Sequence, residues 1–190
     1  VRREIRSLRN SASLTDVSGR PLRLLVLGGS LGAEALNSIL PELIVSAPSG
    51  SIQTLHQTGR QQFVRTLQRY QQLGQDTEKT HRVVAFIDEI GEAYQWADIV
   101  LSRSGASTVC EIAVAAKPAI FVPYPFHKDR QQLRNANWLH AAGAAEVVEQ
   151  HNLDVDRLMQ VLNRLMTDLG RLREMGLSAS KVAICDAHTR

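Results

Sequence analysis

The sequence predicts an α/β protein built on a doubly wound, mainly parallel sheet of six strands. Three observations lead to this prediction. Short apolar segments alternate with longer amphipathic ones, glycine or proline residues end several of these segments, and the 190 residues, 44% hydrophobic and 22% charged, suffice for a globular core. In sheets of this kind, ligands bind beyond the carboxyl ends of the strands.

The first two strand–helix pairs begin the alternation. Residues 22–27 are a continuous apolar run that ends at two glycines, which is typical of a buried parallel strand. A helix is expected over residues 33–44. Residues 51–56 are predicted as the second strand, and Gly74 ends the polar amphipathic helix predicted over residues 60–73.

The next two pairs follow the same pattern. A third strand over residues 82–86 precedes a short helix over residues 90–96. The fourth strand, residues 98–102, leads into a helix over residues 107–116. This helix must end before Pro118, because a proline disfavours the helical conformation in the residue that precedes it.

The last third of the chain adds two strands. Residues 119–122 are predicted as the fifth strand, and the helix over residues 130–142 stops at a glycine. Residues 145–149 are the sixth strand. A single long helix is predicted over residues 154–175, with a glycine as a weak point in its middle.

Residues 1–20 have no hydrophobic periodicity and are interpreted as a linker or connecting arm, so a single domain is expected over residues 21–190. The positive charge concentrates at this end. The first 23 residues hold six arginines against two acidic residues, whereas the other 167 residues carry 16 basic and 17 acidic groups. A nucleic-acid-binding surface would spread its excess charge over a face or a helix, so nucleic acid is not expected as a partner.

Composition excludes several other classes. The two cysteines, Cys110 and Cys185, are too few for a disulfide framework or a four-cysteine zinc site, which favours a reduced compartment. No apolar run approaches the length of a membrane-spanning helix. No spacing of His, Asp and Glu suggests a metal site, and no cofactor is expected.

The turn after the first strand has the sequence GGSLGA, residues 28–33. A dinucleotide fingerprint needs glycine at the third and sixth of these positions, and a P-loop needs a Gly-Lys-Ser/Thr sequence; neither is present. The spacing matches a nucleophile elbow, so a serine hydrolase using Ser30 is an alternative, although only 21 residues precede the strand. Gly28, Gly29 and Gly32 also let backbone approach an anion at a helix N-terminus. A diphosphate site and a plain tight turn both stay open.

The turn after the fourth strand is a second candidate anion site. Small and hydroxyl-bearing residues run from Ser104 to Thr108, where a helix begins, and leave backbone N–H groups open to a phosphate. Glu111 has two interpretations. It closes a capping box with Thr108, or its two carboxylate oxygens accept both hydroxyls of a ribose. The residues alone leave both interpretations open.

Two further segments carry candidate residues. The loop after the fifth strand is stiffened by two prolines. It runs into a helix whose first turn holds Gln131 and Gln132, and side-chain amides suit the hydroxyls of a sugar because they both donate and accept. At the end of the third strand, Phe86 and Ile87 are either core residues or a wall against which a base stacks.

Together these motifs resemble the MurG family of bacterial glycosyltransferases, which add N-acetylglucosamine to lipid I. Each motif alone is weak, but their order and spacing are specific, and the similarity runs nearly end to end. The matching segments are GGSLGA (28–33), HQTG (56–59), FIDEI (86–90), ADIVLSRSGASTVCEIA (97–113), KPAIFVPYPFHKDRQQLRNA (117–136) and AGAAEVVEQ (142–150).

The resemblance implies the C-terminal half of a GT-B enzyme, the Rossmann-like domain that holds the donor UDP-N-acetylglucosamine. It also implies site residues by position. Arg2 would contact the donor nucleotide, Ser30 would face the diphosphate, and Glu111 would take the ribose hydroxyls. The other implied contacts are Phe86 and Ile87 at the uracil, Ala106, Ser107 and Thr108 at the phosphates, and Gln131 and Gln132 at the sugar.

The implied function is inverting transfer of N-acetylglucosamine to lipid I, which forms lipid II for peptidoglycan at the cytoplasmic side of the bacterial inner membrane. The acceptor-binding N-terminal domain, with the family's proposed base and membrane-docking patch, is expected to be missing here. No catalytic residue is therefore assigned, and this chain alone is expected to be inactive. Leu31 stands where the family commonly has Gln. The alternatives are another UDP-sugar enzyme of GT-B architecture, such as a UDP-N-acetylglucosamine 2-epimerase, or the serine hydrolase.

Overall fold

The computed structural model describes residues 1, 3–6, 8, 19–29, 32–126 and 129–183. The strands are β1 (Leu22–Leu27), β2 (Ile52–Gln57), β3 (His81–Val84), β4 (Ile99–Ser102), β5 (Ala119–Phe121) and β6 (Ala145–Val147). The helices are α1 (Arg3–Arg6), α2 (Glu34–Ser46), α3 (Phe63–Gln72), α4 (Ile90–Trp96), α5 (Ala106–Val114), α6 (Gln131–Ala141), α7 (Val155–Thr167) and α8 (Leu169–Val182).

The strands form one sheet in the order β3-β2-β1-β4-β5-β6. Every neighbouring pair is parallel, and Leu24 of β1 lies opposite both Thr54 of β2 and Ile99 of β4. After β1, the strands β2 and β3 are added on one side of it. The chain then crosses over, and β4, β5 and β6 are added on the other side of β1. The structure therefore confirms the predicted doubly wound fold, and the strand order reverses between β1 and β4.

Helices cover both faces of the sheet. Leu24 and Val26 of β1 belong to an apolar cluster that includes residues of α2 and α7. Leu25 of the same strand and Val100 of β4 belong to a second cluster with residues of α4, α5 and α6. Successive strand residues point to opposite faces, so both sets must be apolar. This explains the uninterrupted apolar run that predicted the first strand.

The predicted helix over residues 154–175 is wrong in one respect, because two helices occupy this region. The break falls at Asp168, which ends α7 and begins α8. Its side chain accepts a hydrogen bond from the backbone N–H of Arg171 at 2.8 Å. This N-cap stabilises a new helix start, which then runs on to Val182.

Part of the start of the chain packs against the folded domain. Residues 3–6 form the short helix α1, and Ile5 and Leu8 are 0% and 5% exposed. Both pack in the apolar cluster that holds α4 and α5. An isolated pair of apolar residues has no periodicity, which is why the sequence pattern did not indicate this packing. Residues 9–18 of the expected arm lie outside the described residues.

Among the helices of the described residues, none combines the length and the apolar character that a membrane crossing requires.

Candidate functional site

A cleft of about 880 Å³ opens at the carboxyl ends of β1 and β4, where the strand order reverses. Its lining includes the glycine loop after β1, the turn from β4 into α5 and the loop from β5 into α6, together with Gln62 and Gln150. The location is the one that doubly wound sheets use for ligands. The volume is in the range of small-molecule sites.

The glycine loop packs against the end of β2. A β-carbon on Gly28 would lie 2.9 Å from the carbonyl oxygen of Gln57, and one on Gly32 would lie 2.5 Å from that of Thr58. Gly29 has a φ of +78°, and a β-carbon there would meet open space. Two glycines therefore allow close contact with β2, and the third keeps the outer side of the loop open.

Two helices begin at this cleft without a side-chain cap. Ala33 precedes α2 and Gly105 precedes α5, and neither N-cap residue supplies a side-chain hydrogen bond to its helix. The first N–H groups of a helix have no intrahelical partner, and the helix dipole makes them attractive to anions. Both N-termini border the same cleft, an arrangement suited to a ligand with two adjacent phosphates.

The first turn of α5 contains three of the predicted site residues. Ala106 and Ser107 are exposed, and Thr108 lines the cleft. Thr108 is the third residue of the helix, whose N-cap is Gly105. The capping-box interpretation of Thr108 and Glu111 is therefore wrong, because that motif requires Thr108 to be the N-cap.

Glu111 lies in the second half of α5 with 9% of its surface exposed. It accepts a hydrogen bond from the hydroxyl of Tyr94 in α4 at 3.4 Å. The described residues that line the cleft do not include Glu111, whose carboxylate faces α4. Its assignment to a ribose stays a prediction.

Phe86 and Ile87 lie between β3 and α4, beyond the carboxyl end of β3. The cleft also lies at the carboxyl ends of the strands. Phe86 is 41% exposed, so it is not a core residue. Ile87 is half-buried and packs against the apolar cluster of α4 and α5. Neither is among the described lining residues of the cleft, and the role of Phe86 as a wall for a base stays a prediction.

The start of α6 is tied to the two neighbouring segments. Oε1 of Gln132 accepts a hydrogen bond from the backbone N–H of Tyr124 at 2.9 Å, and its carbonyl accepts one from the Ser104 hydroxyl at 2.8 Å. Asn135 Nδ2 donates to the Ser104 carbonyl at 3.0 Å. Gln132 lines the cleft, and its Nε2 group is the part of the amide that can meet a sugar. Gln131 is exposed beside it.

The cleft also contains a cation that the sequence motifs did not single out. Arg103 donates from one terminal nitrogen to the carbonyls of Val122 and Pro123, at 2.9 and 3.2 Å, and from the other to Oε1 of Gln150 at 2.7 Å. Burial lowers the pKa of Arg103 from its usual value, but an arginine still keeps its charge. The only signal in the sequence was an arginine within a turn of small residues.

Several residues considered above cannot be placed. Arg2, Ser30, Leu31 and Cys185 lie outside the described residues. Within the residues that are described, no three His, Cys, Asp or Glu side chains come together as potential metal ligands.

Solved structures define the class of this protein. The crystal structure of Acinetobacter baumannii MurG matches with a TM-score of 0.78 and 34% identity, over 94% of this chain and 49% of that one. The fold is that of the C-terminal, Rossmann-like domain of a GT-B glycosyltransferase. The UDP-GlcNAc 2-epimerase of Neisseria meningitidis matches with a TM-score of 0.58 and 11% identity, over 90% of this chain and 42% of that one. That likeness shows the fold alone.

Sequence relatives give the family. Residues 23–190 match the model of the glycosyltransferase family 28 C-terminal domain, and the chain belongs to this family. It is 42% identical over 188 residues to the UDP-N-acetylglucosamine–N-acetylmuramyl-(pentapeptide) pyrophosphoryl-undecaprenol N-acetylglucosamine transferase of Shewanella sp. (strain MR-4), covering 98% of this chain and 51% of the relative. The same-named protein of Histophilus somni (strain 129Pt) is 43% identical over 162 residues, 85% of this chain and 44% of the relative. The chain thus spans about half the length of the curated relatives it matches.

Proposed function

We propose that this chain is the donor-binding half of an inverting transferase that moves N-acetylglucosamine from UDP-N-acetylglucosamine to lipid I and forms lipid II. The observation that carries the proposal is the cleft at which two helices begin without a side-chain cap. Such N-termini bind phosphate through free N–H groups, and two of them suit a diphosphate. The name shared by the relatives supplies the sugar and the acceptor.

The donor diphosphate is proposed to lie between the glycine loop and the first turn of α5. Ser30 faces it from the loop, and Thr108 faces it from the helix. Arg103 adds a fixed positive charge to the same cleft. Gln132 donates from Nε2 to a sugar hydroxyl, and Gln131 approaches the same sugar.

The nucleoside is proposed to lie toward α4. Glu111 accepts the ribose hydroxyls, backbone groups of Ile87 meet the uracil, and Phe86 covers the base. Arg2 contacts the nucleotide from the start of the chain. The exposure of Phe86 and its position at the cleft edge of the sheet support this placement.

Negative charge grows on the diphosphate when the 4-hydroxyl of the muramoyl sugar attacks C1 of N-acetylglucosamine and UDP leaves. The helix N-termini and Arg103 are held in place before the reaction, so they stabilise this charge without reorganising. The base that takes the proton of the hydroxyl, the lipid I site and contact with the cytoplasmic side of the inner membrane are proposed to belong to the other half of the enzyme.

Calorimetric titration of the 190-residue chain with UDP tests the donor site. We expect weak binding that Glu111→Ala reduces by about 1–3 kcal/mol, the scale of a charged hydrogen-bond partner. The loss should shrink with 2′-deoxy-UDP, which lacks one of the hydroxyls. Tyr94→Phe is the matched control, because it removes one hydrogen-bond donor to Glu111 and keeps the carboxylate. A well-folded chain that does not bind UDP, or an unchanged Glu111→Ala, would contradict the assignment.

Product analysis tests the reaction. A full-length enzyme that contains this domain should convert a lipid I analogue and UDP-N-acetylglucosamine into a lipid II analogue and UDP. Appearance of the 2-epimer instead would identify the epimerase alternative. Labelling of Ser30 by a fluorophosphonate probe would support the serine hydrolase.

A further inference from the structure

A chain of buried polar side chains leads from α3 to the glycine loop. His56, the penultimate residue of β2, is 0% exposed. Its Nδ1 lies 3.2 Å from the hydroxyl of Tyr70 in α3, and its Nε2 lies 3.0 Å from Oδ1 of Asn37 in α2. Nδ2 of Asn37 then donates to the carbonyl of Thr58 at 2.9 Å and to Oε1 of Gln62 at 2.7 Å.

One arrangement of protons satisfies every member of this chain. The Thr58 carbonyl can only accept, so the atom of Asn37 that faces it must be the amide nitrogen. The amide oxygen of Asn37 therefore faces His56, whose Nε2 must carry a proton. Burial lowers the pKa of His56 to about 3, so the ring is neutral and its Nδ1 accepts a hydrogen bond from Tyr70. Tyr70 thus donates to His56, His56 donates to Asn37, and Asn37 donates to Thr58 and Gln62 beside the loop.

This series of hydrogen-bonded side chains ends beside Gly32 of the glycine loop, where little space is left for a side chain. A β-carbon on Gly32 would lie 2.5 Å from the Thr58 carbonyl and 3.5 Å from both Nδ2 of Asn37 and Cδ of Gln62. Gln62 also lines the cleft. Thr58 and Gln62, which both accept hydrogen bonds from Asn37, therefore also lie next to Gly32.

We propose that Asn37 and His56 are positioning residues, which hold Gly32 of the glycine loop in the place that binding of the donor diphosphate requires. Neither touches the cleft in the described structure. They act through Thr58 and Gln62: Nε2 of His56 donates to the amide oxygen of Asn37 and so holds Asn37 in the orientation that the Thr58 carbonyl requires. This inference rests on the proposed diphosphate site, but its geometry is testable without a ligand.

The functional test compares UDP affinity in the 190-residue chain and two variants of one position. His56→Leu removes both hydrogen bonds and should weaken UDP binding about tenfold or more, the scale of a lost buried hydrogen bond. His56→Gln should stay within about threefold of the parent, because its amide can donate to Asn37 and accept from Tyr70. Tyr70→Phe is the control for general destabilisation: it removes one buried hydroxyl, leaves Asn37 bonded and should keep the UDP affinity. Asn37→Ala tests the same link if His56→Leu does not fold.

The ligand-free readouts are the ring nitrogen resonances of His56 and amide hydrogen exchange at Gly32, whose N–H donates to the Gly29 carbonyl within the loop. We expect a protonated Nε2 and a bare Nδ1, together with faster Gly32 exchange in His56→Leu and parent-like exchange in His56→Gln. A protonated Nδ1, or a folded His56→Leu with parent-like Gly32 exchange and UDP affinity, would overturn the inference. If the parent chain itself does not bind UDP, the proposed function fails, and Gly32 exchange then decides the positioning role alone.

Discussion

The carbonyl oxygen of Thr58 lies 2.5 Å from the position that a β-carbon on Gly32 would occupy. Gly32 also has a φ of +81°, a conformation that disfavours residues with a side chain. The glycine loop therefore packs against the residue that follows β2, and a residue with a side chain does not fit at position 32. The glycines of the loop also line the cleft.

Gly32→Ala should both destabilise the fold and disrupt the loop. Left-handed strain alone costs about 1–2 kcal/mol, and the contact with a backbone carbonyl adds to it because neither backbone can move freely. We expect a lower midpoint in urea unfolding and a loss of UDP affinity. Gly74→Ala is the control, since its φ of +72° imposes the same strain with open space around the β-carbon. Equal effects of the two substitutions on UDP affinity would contradict the role of the Thr58 contact.

Arg103→Met should weaken UDP binding by about 1–3 kcal/mol, the scale for a hydrogen bond to a charged group. Arg103→Lys should recover only part of this loss, because an ammonium cannot span the acceptors on Val122, Pro123 and Gln150. Arg173→Met removes an equal charge from an exposed arginine of α8 that does not line the cleft, and it should leave the calorimetric affinity unchanged. Similar losses in both methionine variants would indicate a general charge effect.

Acid should unfold this protein partly through His56. Its pKa is lowered from 6.5 to about 3 by burial, so the unfolded chain binds a proton in this interval and the folded chain does not. The free energy of unfolding should therefore fall as the pH drops from about 6.5 toward 3, by up to about 1.4 kcal/mol per pH unit from this group. Above about pH 6.5, His56 is neutral in both states, so it adds no pH dependence to the free energy of unfolding.

His56→Gln provides the comparison for that prediction. The pKa of His81 is also lowered by burial, but His81 is present in both proteins, so the difference in slope isolates His56. Urea unfolding at pH 7.5 and pH 5 measures it. Parallel stability curves for the two proteins would show that His56 titrates normally in the folded state.

Ala116→Gly should stabilise the protein. Ala116 follows α5 with a φ of +54°, and the N–H of Lys117 donates to the Ile112 carbonyl at 3.2 Å, as in a helix end that favours glycine. Glycine removes the strain of the left-handed conformation but raises the conformational entropy of the unfolded chain. We expect the first effect to exceed the second by about 0.5–1 kcal/mol. Ala115→Gly, at a φ of −73°, should destabilise instead. A stability loss in both variants would refute this assignment.

The order of strands and helices could be predicted from the sequence because each depends on a local pattern. The run over residues 22–27 must be apolar when both faces of the sheet are covered. The turn after β4 was also identifiable, since small residues before a helix leave its N–H groups free. The order and spacing of the motifs in these turns then carried the resemblance to the family.

Other features depend on contacts between distant segments. The break at Asp168 arises because an N-cap overrides a continuous apolar pattern, and Ile5 is buried by helices far away in sequence. The hydrogen bonds that hold Arg103 in the cleft and those of His56 join segments that are far apart in sequence. A capping box at Thr108 was a plausible local motif, but the N-cap of the helix is Gly105, three residues earlier.

Backbone amide resonances of the 190-residue chain during titration with UDP-N-acetylglucosamine test directly whether the two helix N-termini bind the donor. We expect the largest changes in the glycine loop, at Gly28, Gly29 and Gly32, and in the first turn of α5, at Ala106, Ser107 and Thr108. A folded chain whose resonances do not change, or changes confined to the opposite edge of the sheet around Asp98, would contradict this expectation.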